Sequence, residues 1–517
     1  MLKKVENPAR GLVFSTFYSL ALTLAALAPT LFRVWGQGAL GVMESKRTAY
    51  LIVPPTGLYI REDRCQTPIK DLKTVALRPP IDLLYAAAAF ERGGCACTLT
   101  DYPAEGLTWQ DLEERLASLR PDFLIISITT PSLEDDLRVA GIARRASPQS
   151  RVIAKGAHFN TLDVPTLEAH PHLDGVLRGE YESACEALGQ GRPFDAVPGL
   201  TYRNASGAIH RNDAAPFEED LDRLPFPARH LAKNELYLRP DTGEAQTTIV
   251  TNRGCPFDCI FCLAPQVAGR KNRYRSVGNV LAELEECVHK YAIRSFLFRS
   301  DLFTQRRDWV LDLCRAIRER GLAIEWSCNS RVDTLDLEML TAMREAGCWL
   351  IALGIESGDD ESLRRMNKRA DTARAREAIR LTRRAGLRSS VYMLMGLPWE
   401  TEETIRHNIA FFRELDADFT EIFYVYPFPG TKLHEMAVSA GLLAPGEVPT
   451  EAYGEPAMPS LFLTKADLAH WRRRALRRIL LRPRYIARTL WRCRSPRELA
   501  NYVRVGWRQL ADLLRGD

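Results

Sequence analysis

The stretch TNRGCPFDCIFCLAP (residues 251–265) places Cys255, Cys259 and Cys262 within eight positions. It follows the apolar run TTIV (247–250), so the cysteines come directly after a predicted β-strand. Structural zinc takes four ligands, and no fourth cysteine or histidine lies nearby. Three thiolates are compatible with a catalytic zinc, but the Cys-x3-Cys-x2-Cys spacing suits an iron–sulfur cluster better. Three thiolates would then leave one iron open, and we predict that this iron binds a substrate or cofactor.

From residue 247 onward, apolar strand patterns alternate with helical stretches such as VGNVLAELEECVHKYA (277–292). This alternation predicts a partial or full parallel α/β barrel over residues 247–445, and with six strands we expect a partial (β/α)6 barrel. In such barrels the chemistry lies at the C-terminal ends of the strands, and the cysteine loop follows the first one. The six predicted strands are TTIVTNRG (247–254), RSFLFRSDLF (294–303), AIEWSCNSRVD (323–333), CWLIALGIESG (348–358), SSVYMLMGLP (389–398) and FTEIFYVYPFPG (419–430).

A second alternation occupies residues 48–190 and predicts an open, doubly wound (Rossmann-like) α/β domain. Its ligands are expected beyond the carboxyl ends of the strands. The Pro-rich and acidic stretch 191–246 is interpreted as a linker, and residues 446–517 as a helical C-terminal segment. The predicted strands are AYLIVPP (49–55), CACTLTDYP (95–103), PDFLIISITT (121–130), SRVIAKG (150–156) and LDGVLRGE (173–180).

The composition is that of an ordinary globular protein, with 46% hydrophobic and 26% charged residues in a chain of 517. Twelve cysteines, mostly scattered singly, argue against a disulfide scaffold and for a reducing, cytoplasmic location. The net charge of +5 is unevenly spread, because residues 465–517 carry fifteen Lys or Arg against four Asp or Glu. This arginine-rich tail, with interleaved tryptophans and tyrosines, is interpreted as a helical cap over the barrel or as a peripheral membrane contact. No nucleic-acid partner is expected, since no RNA-binding fold accompanies the tail.

The N-terminal stretch GLVFSTFYSLALTLAALAPTLF (11–32) contains no charged residue. It is compatible with a membrane anchor, or with a signal or interfacial helix. A third interpretation is that Met43 is the true start, because MESKRTAYLIVPP opens naturally into a first strand. Residues 1–47 are therefore treated as an extension of uncertain role.

The motif CPFDCIFC (255–262) resembles the cluster loop of the radical S-adenosylmethionine (SAM) superfamily. The resemblance continues through SFLFRSDLF, MLMGLPWET and YPFPGTKLHEMAVSAGL, in barrel order. With the preceding domain, residues 48–445 look like the branch with an N-terminal cobalamin-binding domain. That branch includes the oxidative cyclases of bacteriochlorophyll synthesis and many carbon methylases.

The resemblance implies a 4Fe-4S cluster on the three cysteines, whose open iron is chelated by SAM. An electron from the reduced cluster then splits SAM into methionine and a 5′-deoxyadenosyl radical, so a donor such as flavodoxin or ferredoxin is implied. Phe261 matches the aromatic position against the adenine, and further SAM contacts are implied for Asp301, Arg331, Glu356 and Ser357. Arg331 could instead pair with Asp333 alone. The family commonly shows two acids after the second strand, whereas RSDLF supplies only Asp301.

Cobalamin is implied by the resemblance of the first domain. The Asp-x-His-x-x-Gly signature of a lower-axial histidine is absent after the first strand, where PPTGLYIREDRC stands. Lys155 replaces the first of two usual glycines, and His158 is interpreted as a wall of the site and not as a cobalt ligand. The residues placed to cradle the corrin or its tail are Thr129, Thr130, Gly156, His158, Gly179 and Glu180.

The resemblance therefore predicts a cobalamin-dependent radical SAM enzyme that methylates an unactivated carbon of a lipid, tetrapyrrole or other natural product. The main alternative is a radical cyclisation or rearrangement without methyl gain. A non-catalytic cobalamin sensor would not need the cluster loop. A methylthio-transferase would be expected to carry a second cysteine cluster in the N-terminal domain, and none appears.

Overall fold

The computed structural model describes residues 46–62, 65–68, 77–493 and 495–515. The uncharged stretch 11–32 and Met43 lie outside this part of the chain, so their interpretation stays a prediction. Within the described ranges no helix combines the length and the apolar character needed to cross a membrane.

The first sheet has seven strands in the order β4-β1-β5-β6-β7-β8-β9. The five from β4 to β7 pair in parallel, and β8 and β9 add an antiparallel edge from within residues 191–246. A separate hairpin, β2–β3, follows β1. The strands are β1 Thr48–Val53, β2 Tyr59–Glu62, β3 Cys65–Pro68, β4 Ala96–Asp101, β5 Phe123–Ser127, β6 Arg151–Lys155, β7 Gly175–Leu177, β8 Leu200–Arg203 and β9 Ile209–Arg211.

Alternate side chains of the central strands enter two separate cores. Leu51 and Ile125 pack on one face of the sheet, while Ile52 and Ile126 pack on the other. Burial on both faces explains the continuous apolar runs, and the doubly wound prediction is confirmed. The helices of this part are Ile81–Arg92, Tyr102–Glu105, Trp109–Leu119, Leu133–Ala146, Phe159–Ala169 and Glu182–Gly189.

The second sheet has six parallel strands in the order β10-β13-β14-β15-β16-β17. No ladder joins β10 to β17 among the described strands, so the sheet is an open, partial barrel as predicted. A short ladder, β11–β12, stands beside it. The strands are β10 Gln246–Val250, β11 Asn252–Arg253, β12 Arg273–Tyr274, β13 Ser295–Arg299, β14 Glu325–Ser330, β15 Cys348–Glu356, β16 Arg388–Met395 and β17 Phe419–Tyr424.

The outer face of the barrel strands packs on the helices. Phe298 stacks on Trp326 there, with ring centroids 4.6 Å apart. Because side chains alternate along a strand, Arg299 and Glu356 project to the inner face. The helices are Ala264–Ala268, Val277–Tyr291, Arg307–Glu319, Leu337–Glu345, Asp360–Arg365, Thr372–Arg384, Glu402–Leu415 and Lys432–Ser439.

Three C-terminal helices follow the barrel, Lys465–Leu480, Pro483–Trp491 and Pro496–Arg515. Arg488 lies 2.5 Å from Asp416, three residues before β17, and Tyr502 stacks on Phe419 at the start of that strand. Glu498 pairs with Arg388 at the start of β16. The last two helices therefore cover the amino end of the sheet, opposite the edge that carries the cysteine loop.

Candidate active site

The cysteine loop is closed at its neck by the β11–β12 ladder, which pairs Arg253 with Arg273. Gly254 has a φ of +93°, and a Cβ there would collide with the carbonyl oxygen of Lys271, so only glycine fits. The Cys255 N–H donates to the Gly269 carbonyl at 3.0 Å. These contacts fix the conformation of the loop where it leaves the end of β10.

Cys255, Cys259 and Cys262 are partly buried thiols in this loop. The Ala264 N–H lies 3.5 Å from the Cys262 sulfur, an amide–sulfur contact of the kind that tunes iron–sulfur clusters. Among the described residues, no three His, Cys, Asp or Glu side chains meet around a single metal ion. A four-iron cluster is wider than one ion, so its thiolate ligands need not meet at a point. The donor set and the loop fit a cluster better than a zinc ion.

Asp301 directly follows β13, and its Oδ2 accepts the Gly254 N–H at 2.5 Å. The carboxylate therefore fixes the backbone just ahead of Cys255. Its contact with SAM stays a prediction.

Arg331 forks onto Asp333, with its Nε and Nη2 2.9 and 2.8 Å from the two carboxylate oxygens. Its guanidinium carbon lies 3.8 Å from the ring centroid of Phe257, inside the cysteine loop. The pairing left open by the sequence is thus present. The arginine also reaches the loop, and its role toward SAM stays a prediction.

Glu356 ends β15 with a φ of +71°, a left-handed conformation that is uncommon for a glutamate. Its Oε1 lies 2.8 Å from Nζ of Lys368. The neighbouring Ser357 is buried, and its hydroxyl donates to Oδ1 of Asn408 at 3.0 Å. Phe261 is partly buried against a separate apolar cluster that includes Trp399. The SAM roles of Glu356, Ser357 and Phe261 stay predictions.

Lys368 and Glu400 were not singled out from the sequence. Lys368 sits in the basic run LRRMNKR (363–369), which resembles an exposed helix end, yet the lysine is buried. Glu400 is buried after β16, and its Oε2 accepts the Gly396 N–H at 2.5 Å. Burial raises the pKa of Glu400 to about 8, although hydrogen bonds from Gly396, Leu397 and Asn408 oppose the rise.

In the first domain, the β2–β3 hairpin covers the loop after β5. Gln66 accepts the Thr130 N–H at 2.7 Å, and the Thr129 hydroxyl contacts Ser132 at 2.5 Å. Arg61 anchors the hairpin by a two-point pair with Asp136, at 2.7 and 2.9 Å. Both threonines are buried under this hairpin, which stands where the Asp-x-His-x-x-Gly signature is missing.

The glycines in the loops after β6 and β7 differ in how closely other atoms approach them. A Cβ at Gly156 would lie 2.7 Å from the Ile128 carbonyl oxygen, so two loops pack tightly there. Gly179 has a φ of +66°, with no atom within 4 Å of where its Cβ would stand. His158 is buried, with Nε2 3.3 Å from the Thr166 hydroxyl and, within the described structure, no hydrogen-bond partner for Nδ1. Burial lowers the pKa of His158 to about 4, so the ring is neutral at neutral pH.

A cleft of ≈ 600 Å³, open to solvent, lies between the carboxyl edges of the two sheets. Gly179 and Glu180 line it from the first sheet, and Arg299 and Asp301 from the barrel. Of the cobalamin and SAM candidates, only Gly179, Glu180 and Asp301 line this cleft. Thr129, Thr130, Gly156, His158, Phe261, Arg331, Glu356 and Ser357 lie outside its lining.

Buried ion pairs hold these two edges against each other. Glu180 accepts two hydrogen bonds from Arg273, at 2.6 and 3.0 Å. Arg253 lies 2.6 Å from Glu182, and Arg299 lies 2.6 Å from Asp82. Removing one partner would leave a buried charge unpaired and would destabilise the contact between the two edges. The Glu180 carboxylate thus joins the two domains, and a role as a cradle for the corrin stays a prediction.

The remaining predicted neighbour, Lys155, does not reach into the cleft. Its side chain is buried, with Nζ 4.5 Å from the Tyr181 ring centroid and 3.9 Å from Asp82. The lysine therefore lies beside Asp82, the first-domain member of the Arg299–Asp82 pair.

A thiol loop lies at the carboxyl edge of a partial barrel and faces the same edge of a doubly wound sheet, which is the two-domain arrangement that the resemblance implied. Residues 249–412 match the family model of the radical SAM superfamily, and residues 73–189 match that of the B12 binding domain. An uncharacterised methyltransferase of Pyrococcus horikoshii is 29% identical over 417 residues, covering 80% of this chain and 90% of its own length.

Two further comparisons each cover more than two thirds of this chain. The anaerobic magnesium-protoporphyrin IX monomethyl ester cyclase of Rubrivivax gelatinosus is 26% identical over 367 residues, 69% of this chain and 66% of the relative. A solved structure of the cobalamin-dependent SAM radical enzyme OxsB, with aqua-cobalamin and SAM bound, aligns with a TM-score of 0.67. It is 17% identical, covers 94% of this chain and 76% of its own, and shows likeness of fold alone.

The chain belongs to the radical SAM superfamily, in the branch that carries an N-terminal cobalamin-binding domain. It is an enzyme of this family, and its cofactors are a 4Fe-4S cluster, SAM and cobalamin. The three cysteines of the loop fit the cluster by number, spacing and chemistry.

Proposed function

We propose that the protein transfers a methyl group to an unactivated carbon of a small molecule or lipid. The observation that carries the proposal is a cleft lined both by the first domain, at Gly179, and by the barrel, at Asp301. Once bound, the cluster with SAM supplies a radical that removes a hydrogen atom, and cobalamin supplies the methyl group. The chain's own residues hold these groups close: the cysteine loop through Asp301, and the facing edges through Glu180 and Arg273.

The names of the relatives support two reaction classes. One relative is called a methyltransferase and another a cyclase, so ring closure without methyl gain is the alternative. The cleft combines an apolar wall of Val250, Val267 and Ala268 with a charged wall, which suits an amphipathic substrate such as a lipid, a tetrapyrrole or another natural product.

The test is anaerobic turnover with SAM that carries a trideuterated methyl group. Reconstituted holoenzyme is incubated with an extract of the source cells and a low-potential reductant, and products are followed by mass spectrometry. We expect a product in which one hydrogen is replaced by the labelled methyl, with 5′-deoxyadenosine formed alongside. Protein with Cys262→Ala serves as the matched control. A product that loses hydrogen and gains no label would establish the cyclising alternative.

We also infer a low-potential electron donor of the flavodoxin or ferredoxin type, because the cluster must be reduced before SAM is cleaved. We infer a reducing compartment, as expected for the cytoplasm, because the loop thiols and the scattered cysteines support it.

We propose that the outer face of the last two helices contacts an anionic membrane surface. Trp491 and Trp507 are 87% and 71% exposed, and Arg484 and Arg504 are exposed with them. Aromatic and basic side chains on one exposed helical segment fit a lipid interface.

The purified protein should co-sediment with phosphatidylglycerol vesicles at low salt and not with phosphatidylcholine vesicles. Trp491→Ala with Trp507→Ala should reduce binding severalfold, while Phe462→Ala, an exposed aromatic outside those helices, should not. Equal binding to both vesicle types would contradict the membrane contact.

A further inference from the structure

Lys368 lies beside the middle cysteine of the loop because its segment runs along the loop backbone. The Ile260 N–H donates to the Met366 carbonyl at 3.1 Å. The Asn367 side-chain amide donates to the Asp258 carbonyl at 3.2 Å. In the loop, the two hydrogen bonds fall on the residues immediately before and after Cys259. In the other segment, they fall on the two residues that immediately precede Lys368. The next residue of the segment is therefore held next to a cluster ligand.

The Lys368 side chain forms a buried salt bridge with Glu356 on the inner face of β15. Nζ and Oε1 are 2.8 Å apart, and the two side chains are 8% and 9% exposed. A Cβ at Gly354 would lie 3.0 Å from Nζ and 2.6 Å from Oε1, so the pair sits directly over that glycine. A larger residue at position 354 would displace it.

The lysine keeps its charge in this setting. Nζ donates to Oε1 of Glu356 at 2.8 Å, so the buried ammonium is compensated by a buried carboxylate. The Arg331 guanidinium donates to the Lys368 carbonyl at 2.8 Å, so a second positive charge lies beside this segment. The Lys368 ammonium and the Glu356 carboxylate that compensates it therefore both lie beside the cysteine loop.

We propose that Lys368 and Glu356 together set the reduction potential of the cluster held by Cys255, Cys259 and Cys262. The proposal rests on the cluster assignment of the proposed function. Reduction adds one electron to the cluster, so a nearby ammonium stabilises the reduced form and a nearby carboxylate destabilises it. Buried charges are little screened, so both effects persist at physiological salt. Neither residue needs to touch the substrate for this role.

The two charges act with opposite sign, which makes a double-mutant cycle decisive. Lys368→Met, Glu356→Gln and the double variant are reconstituted as full-length protein without SAM. Each is titrated potentiometrically, and the reduced cluster is followed by electron paramagnetic resonance. At the potential that half-reduces the wild type, Lys368→Met should lower the reduced-to-oxidised ratio about tenfold, a shift of about 59 mV for one electron. Glu356→Gln should shift the ratio upward, and the double variant should return toward the wild type.

Two further variants separate charge from packing. Lys368→Arg keeps the charge and should titrate close to the wild type. Arg364→Met removes an exposed charge from the same segment and should leave the potential unchanged. Lys368→Gln gives a second neutral variant in case methionine disturbs folding.

The outcomes distinguish this proposal from the one it rests on. Wild-type protein that holds no cluster would overturn the proposed function itself. A wild-type cluster whose potential is unmoved by Lys368→Met and Lys368→Gln would overturn the role of the pair alone. Shifts of the same sign for Lys368→Met and Glu356→Gln would do the same, because a structural disturbance and not charge would then be responsible.

Discussion

Replacing Cys255, Cys259 or Cys262 with alanine should abolish SAM cleavage. Three thiolates are the smallest set that leaves one iron open, so the loss of any one removes the cluster or its open site. Wild-type protein reconstituted without oxygen should hold about four irons per chain. Each alanine variant should hold fewer irons and should form no 5′-deoxyadenosine above background.

Cys493→Ala is the matched control, because Cys493 is also partly buried but lies in the C-terminal helical segment. This variant should keep the iron content and the cleavage rate of the wild type. Full cleavage by any one of the three loop variants would refute the assignment of these cysteines.

The parallel strands of both sheets were readable from sequence because most of them are short apolar runs between polar or glycine boundaries. FLIIS (123–127) is buried throughout as β5, as a strand covered on both faces must be. The cysteine loop was readable because its ligands are local and their spacing is the signal. The β8–β9 pair was not recognised, although NASG (204–207) supplies a turn, with Gly207 at a φ of +88°.

The rest of the site depends on contacts between residues far apart in the chain. Lys368 and Glu356 are 12 positions apart, and Glu180 and Arg273 are 93 apart. No local pattern marks such pairs, since a lysine in a basic run and a glutamate after a strand are both ordinary surface residues. Arg331 and Asp333 are close in sequence, yet spacing could not decide whether they pair. The structure shows the pair.

Cobalamin bound by the first domain should lack a histidine ligand on its lower face. The position of the missing signature is taken by the β2–β3 hairpin, which Arg61 anchors to Asp136. His158 is buried, and its Nε2 contacts the Thr166 hydroxyl. The visible spectrum of the reconstituted protein should therefore be of the base-off type. Paramagnetic resonance of the cobalt(II) form should show no coupling to a histidine nitrogen.

His158→Ala should leave this cobalt signal unchanged, because the ring is a wall of the site in this interpretation. A histidine-coupled signal that disappears in His158→Ala would show that the unpartnered Nδ1 of this ring is the ligand.

Withholding cobalamin separates the two reaction classes. Protein reconstituted with iron and sulfide alone should still cleave SAM, since the cysteine loop and Asp301 belong to the barrel and cobalamin provides none of the thiolates that hold the cluster. It should transfer no labelled methyl group to any product. If product formation continues unchanged without cobalamin, the methyl-transfer proposal fails, and the same cleft is then best explained as the site of a cyclising or rearranging enzyme.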